Sequence, residues 1–204
     1  MELWITKHGG KMKGIDSIST NCMLNPNCTE RQRNEALVCS KCYSKKYLML
    51  RPALRERLTM NTELLTQGII DEKDLPIINR AVFRLESFGD LINTTQMINY
   101  INLCYKNPQT TFALWTKNTH ILHEVFDERL IEKPDNLIVN FSSPVLNMPI
   151  TSGIPKYIDH VFTVYEKKYL KDHDVNVNCG AKNCLKCKIC YTKGTDYFVN
   201  EILK

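Results

Sequence analysis

Apolar positions along this chain switch between two periods. After Arg51-Pro52, Leu54, Leu58 and Leu65, with Leu64, recur at helical spacing until a stop near Gly68. Proline suits a first helical position and glycine a helix end, so both boundaries agree with the periodicity. Ala81-Val82-Phe83-Arg84-Leu85-Glu86 then reads as a strand. A second helix starts at Asn93 or Thr94, both good N-caps, and ends at Asn107-Pro108. Its apolar face holds Met97, Ile98, Ile101, Cys104 and Tyr105, which places Cys104 in the core as a small apolar residue. Thr111 to Thr116, Asn136 to Phe141 and His160 to Tyr165 are three more strands. A short helix after Asn118 carries Ile121, Leu122, Val125 and Phe126 on one side. Ile15 to Thr20 supplies a further strand, and Tyr197 to Leu203 reads as a short terminal helix.

Strands alternating with helices imply parallel strands joined by right-handed crossovers. The expected class is α/β. About five strands are too few for a closed eight-stranded barrel, so the architecture is an incomplete, TIM-like barrel or an open parallel sheet. Residues 1–175 form this domain, with a cysteine loop near its start, and residues 176–204 form a cysteine-rich tail.

An apolar fraction of 43% in 204 residues supports a folded core. No apolar run reaches the roughly 18 residues that span a bilayer, so no membrane partner is expected. The start, Met1-Glu2-Leu3-Trp4, lacks the layout of a signal peptide. A cytoplasmic location follows, and there clustered cysteines more often bind metal than form disulfides. The net charge of +5 is uneven. Between residues 31 and 60, Arg31, Arg33, Lys41, Lys45, Lys46, Arg51, Arg55 and Arg57 face only Glu35 and Glu56. This stretch is a solvated helix surface, a phosphate-binding patch, or a counter-charge for an anionic thiolate cluster.

Eight of the nine cysteines fall into two groups, Cys22-x5-Cys28-x10-Cys39-x2-Cys42 and Cys179-x4-Cys184-x2-Cys187-x2-Cys190. Four thiolates hold one zinc ion or one [4Fe–4S] cluster. The tail group combines the first spacings of plant-type and bacterial ferredoxins, which favours iron–sulfur over zinc or disulfides. The first group is looser and suits zinc better than the tail does. The two groups hold one or two clusters, and a single site shared between them is also open. The histidines are weaker candidates: His120 and His123 lie three apart with no third ligand, and His8, His160 and His173 are isolated.

Ligands of parallel α/β folds bind at the carboxyl ends of the strands. Those ends here carry Glu86, Gly89 and Asp90, then Lys117, then Asn140 and Ser142. Helix capping by residues such as Asn118 and Asp90 is the simpler use of such residues. A small-molecule face would use Gly89 for close backbone approach, Glu86 and Asp90 as acceptors, and Lys117 for a carboxylate or phosphate.

The order of cysteines, helix, strand and Gly89-Asp90-Leu91 resembles the first half of a radical S-adenosylmethionine barrel. That family's Cys-x3-Cys-x2-Cys motif is not present, and Cys39-x2-Cys42 matches only its end. Cys42-Tyr43, the Arg-x4-Gly-Asp segment from Arg84 to Asp90, and the ending from Cys179 to Tyr191 resemble the phage gene product 88 family. That resemblance implies a viral iron–sulfur protein in the host cytoplasm, with no reaction attached. Three functions follow as expectations. One is an iron–sulfur protein that moves electrons to or from a partner or uses its cluster structurally. Another is a redox or radical enzyme working at the strand ends, with S-adenosylmethionine as substrate in the radical case. The third is a zinc-stabilised nucleic-acid-binding module in which Tyr43 and Tyr47 stack on bases.

Overall fold

The computed structural model describes residues 2–203; Met1, part of the start read above, and Lys204 lie outside it. Seven strands form one sheet in sequential order: β1 (Thr6–Lys7), β2 (Asp16–Ile18), β3 (Val82–Leu85), β4 (Thr111–Thr116), β5 (Leu137–Ser142), β6 (His160–Tyr165) and β7 (Phe198–Ile202). β1 pairs antiparallel with β2, and every later neighbour is parallel. The sheet is open, as one of the two expected architectures requires. Helices α1 (Pro26–Arg31), α2 (Tyr43–Met49) and α3 (Pro52–Gln67) connect β2 to β3. α4 (Thr94–Lys106) connects β3 to β4, and α5 (Thr119–His123), continued by a π-turn over Glu124–Glu128, connects β4 to β5. α6 (Lys167–Asp172) and α7 (Cys184–Cys187) lie between β6 and β7.

Side chains alternate across the sheet with the strand period. Phe83, Leu85, Phe112, Leu114, Leu137, Val139 and Phe141 join the core made with α3, α4 and α5. In-register pairing aligns Phe83, Phe112 and Leu137 across three strands. The Phe83 and Phe112 rings meet edge to face at 5.7 Å, worth about 1 kcal/mol beyond their burial. Cys104 is fully buried in this core, as its helical spacing predicts.

The opposite face carries Val82, Ala113, Trp115 and Ile138, and it packs against Cys190, Tyr191 and Val199 of the tail. A closed barrel would turn this face inward; here the tail covers it. The terminal segment expected as a helix is strand β7. Its residues pair with β6 from Val161↔Phe198 to Tyr165↔Ile202. Tyr-Phe-Val-Asn-Glu-Ile suits either state locally, and the free edge of β6 decides, because pairing there satisfies backbone groups and buries Val199. Among the described residues no helix is long and apolar enough to cross a membrane.

Candidate functional site

The first cysteine group lies beyond the carboxyl ends of β2, β3 and β4. Cys22 sits in a turn after β2 and Cys28 in the first turn of α1. Asn25 caps α1, its side chain accepting from the backbone N–H groups of Asn27 and Cys28. The same side chain donates to the carbonyls of Asp90 (3.0 Å) and Leu91 (3.1 Å), which pins the cysteine loop to the end of β3. Cys39 lies in a 3-10 turn, Val38–Lys41, and Cys42 at the N-cap of α2. That turn is held over β5 and β6 by Val38 N–H on the Pro144 carbonyl (2.9 Å) and by a Lys41–Glu166 ion pair (2.7 Å).

The sulfurs of this group feel one another. Cys22 donates toward Cys42, which raises the Cys22 thiol and, with the Lys45 and Ser44 amides and the Lys117 ammonium, brings Cys42 down to about 6. Burial pushes Cys28 and Cys39 up, while Lys117 opposes this at both. Arg31 adds a second cation, and it also draws Cys39 down. Its guanidinium donates to Asn118 Oδ1 at 2.6 Å and lies 3.7 Å from Asp90, and Nη1 is buried with no hydrogen-bond partner.

The tail group has a different neighbourhood. Lys11 Nζ lies 3.1 Å from Cys179 Sγ and 3.0 Å from Glu201. Arg84 opposes the burial-driven rise of Cys184 and Cys190. Cys184 and Cys187 bracket the single turn of α7, capped by Asn183 accepting from Lys186 N–H (3.1 Å). Lys188 then turns left-handed (φ 57°), which brings Cys190 back against the sheet. Each group thus has two cations of its own, Arg31 and Lys117 at the first and Lys11 and Arg84 at the second. All nine cysteines are free. Among the described residues no group of three or more His, Cys, Asp or Glu side chains is arranged to hold a metal ion.

The strand-end residues divide among three places. Glu86 is buried at φ 61° and accepts from Thr20 N–H (3.2 Å), Thr20 Oγ1 (3.1 Å), Gln96 Nε2 (2.7 Å) and the Tyr100 hydroxyl. Gly89 does make a close backbone approach, but to this network. A Cβ there would lie 2.3 Å from Thr20 Oγ1 and 2.4 Å from Glu86 Oε2. Gly89→Ala is expected to cost about 2 kcal/mol by overpacking, against at most about 0.5 kcal/mol for Gly68→Ala, where a Cβ meets nothing within 4 Å. Urea midpoints of the two variants test this.

Asp90 and Lys117 flank the first cysteine group, and Lys117 Nζ bonds Ser142 Oγ at 3.0 Å. Asn140 belongs to the other group: its Nδ2 donates to the Cys190 carbonyl (3.3 Å), and its Oδ1 is buried without a partner. Asn118 does not cap α5; its side chain serves Arg31 and the Leu91 carbonyl. Sequence reading missed Lys11, Thr20, Gln96 and Tyr100. Polar residues spaced four apart on α4, Gln96 and Tyr100, were the one available signal for a buried network.

No curated protein and no solved structure matches the chain. A family model described as gene product 88 matches residues 6–200. With nearly the whole length covered, the chain belongs to the gene product 88 family of phage proteins.

Proposed function

We propose that this protein binds iron–sulfur clusters at its two cysteine groups and serves in electron transfer. The observation that carries the reading is the pairing of each group of four thiols with two cations, Arg31 and Lys117 at one and Lys11 and Arg84 at the other. A cluster held by four thiolates is anionic, and neighbouring cations favour the ionised sulfurs. A bound cluster would supply a one-electron couple. The spacing of the tail cysteines favours iron over zinc, which would also be anionic with four thiolates. The radical-enzyme reading has less support, because Glu86 and Gly89 are taken up by the internal network.

Iron, zinc and acid-labile sulfide, assayed on anaerobically purified protein, test the proposal. Colourless protein with stoichiometric zinc and no sulfide would sink it. Serine at any one of Cys22, Cys28, Cys39 or Cys42 should remove about half of the bound iron and leave the tail's share, since local folding and binding are coupled within a site. Serine at Cys179, Cys184, Cys187 or Cys190 should do the reverse. Cys104→Ala should keep the full complement and cost about 1 kcal/mol.

A further inference from the structure

A cavity of about 720 Å³ opens beside α2 and the start of α3. Its walls are aromatic and basic. Trp4 and Tyr47 are 38% and 37% exposed there, and Phe88 stacks on Tyr47 at 5.5 Å. Arg57 lies over the Trp4 ring at 3.6 Å and Arg51 over the Tyr47 ring at 4.3 Å. Stacking holds each guanidinium flat while leaving its in-plane N–H groups free to donate. Lys7 adds a third cation. No carboxylate lines the cavity, and among the described residues Lys7, Arg51 and Arg57 make no ion pair. Thr6 Oγ1, on the wall, is buried without a hydrogen-bond partner. His8 stacks on Phe88 and bonds Ser17 Oγ at 2.7 Å, so it shapes the floor.

We propose that this cleft binds a nucleotide unit, with its base stacked on the flat Arg–aromatic pairs, Arg57 on Trp4 and Arg51 on Tyr47, and its phosphate held by Lys7 and the guanidinium edges. A simple anion would use only the guanidinium edges and leave the flat faces of the two Arg–aromatic pairs uncovered. An uncharged apolar ligand would have no use for three unpaired cations. The volume suits one or two nucleotides, within the roughly 300–1,000 Å³ of small-ligand pockets. The same chemistry is offered by a free nucleotide and by a stretch of single-stranded nucleic acid, where stacking and backbone charge also combine. The cleft shares Leu54 and Phe88 with the packing around Cys22 and Cys28.

Calorimetric titration of the full-length protein, prepared anaerobically and assayed for metal in the same sample, tests the assignment. The probes are adenosine monophosphate, inorganic phosphate and a short single-stranded oligothymidylate, all at low salt. Adenosine monophosphate or the oligonucleotide should bind at least about tenfold more tightly than phosphate, because stacking is worth about 1–3 kcal/mol per base. Binding of the mononucleotide assigns a free nucleotide; binding of the oligonucleotide alone assigns a strand. R51A/R57A should weaken binding by at least about tenfold and, for the strand, flatten the salt slope by about 1.4. Trp4→Ala should weaken it by a similar factor, and Lys73→Ala, on a remote exposed turn, should not. Arg51→Gln alone, at an N-cap whose side chain caps nothing, carries the test if the double variant folds poorly, with at least about a threefold loss expected. Absence of binding to every probe, phosphate binding as tightly as the others, or unchanged binding in the arginine variants would overturn the proposal. The metal assay reads the iron–sulfur proposal separately.

Discussion

From pH 5 to pH 8, the stability of the native protein relative to its Glu86→Gln variant is expected to fall by on the order of 4 kcal/mol. Burial pushes the Glu86 carboxyl up to about 8, outweighing the donors from Tyr100 and Thr20 that favour its charged form. The folded chain therefore holds a proton that the unfolded chain releases near 4.5. Stability from this group is fully present below 4.5 and is lost as pH rises through about 8. Two other groups run the opposite way: burial lowers His8 to about 4, and the Cys22 thiol helps lower Cys42 to about 6. Comparison with Glu86→Gln removes their contribution, since both proteins carry them. Urea midpoints of the two proteins at pH 5, 6.5 and 8 provide the measurement. A difference that stays constant across this range would show that Glu86 is ionised in the fold.

Asp90→Ala is expected to cost about 4 kcal/mol, the largest single loss at the strand ends. The Asp90 carboxylate accepts from the Thr116 hydroxyl (2.6 Å), Leu91 N–H (2.8 Å) and Lys117 N–H (3.1 Å). It is also the charge facing Arg31, whose side chain is 20% exposed. Removing the carboxylate strands a largely buried guanidinium and unpairs several donors at once. The midpoint of thermal unfolding should drop by roughly 12 °C for a chain of this size. Asp90→Asn keeps an acceptor for part of the network and should cost about half as much. An Asp90→Ala protein within about 1 kcal/mol of the original would mean that water takes over these bonds.

Much of the framework was legible from local pattern. Thr111 to Thr116 and His160 to Tyr165 have the strand boundaries their composition predicts. Arg51-Pro52 and Gly68 bracket α3 as expected, and Asn93 caps α4 through Gln96 N–H. Such features depend on residues a few positions apart, which the chain states directly. Phe198–Ile202 was not legible, because its state depends on a partner strand more than 30 residues away.

The strand ends show the same division more sharply. Their polarity is plain in the sequence, and so is the expectation of a carboxyl-end site. The destination of each side chain is not. Glu86 and Gly89 turn into a buried network with Thr20, residues 66 and 69 positions apart in the chain. Asn140 faces the tail, because strand alternation puts it on the opposite face from Val139 and Phe141. Residue type and spacing thus determined the α/β class, the core role of Cys104 and the grouping of eight cysteines into two sets of four. Tertiary structure alone decided that the tail closes the open face and which cations face each cysteine set. Those outcomes arise from long-range packing and electrostatics, where a side chain's partner is chosen by burial in space and not by distance along the chain.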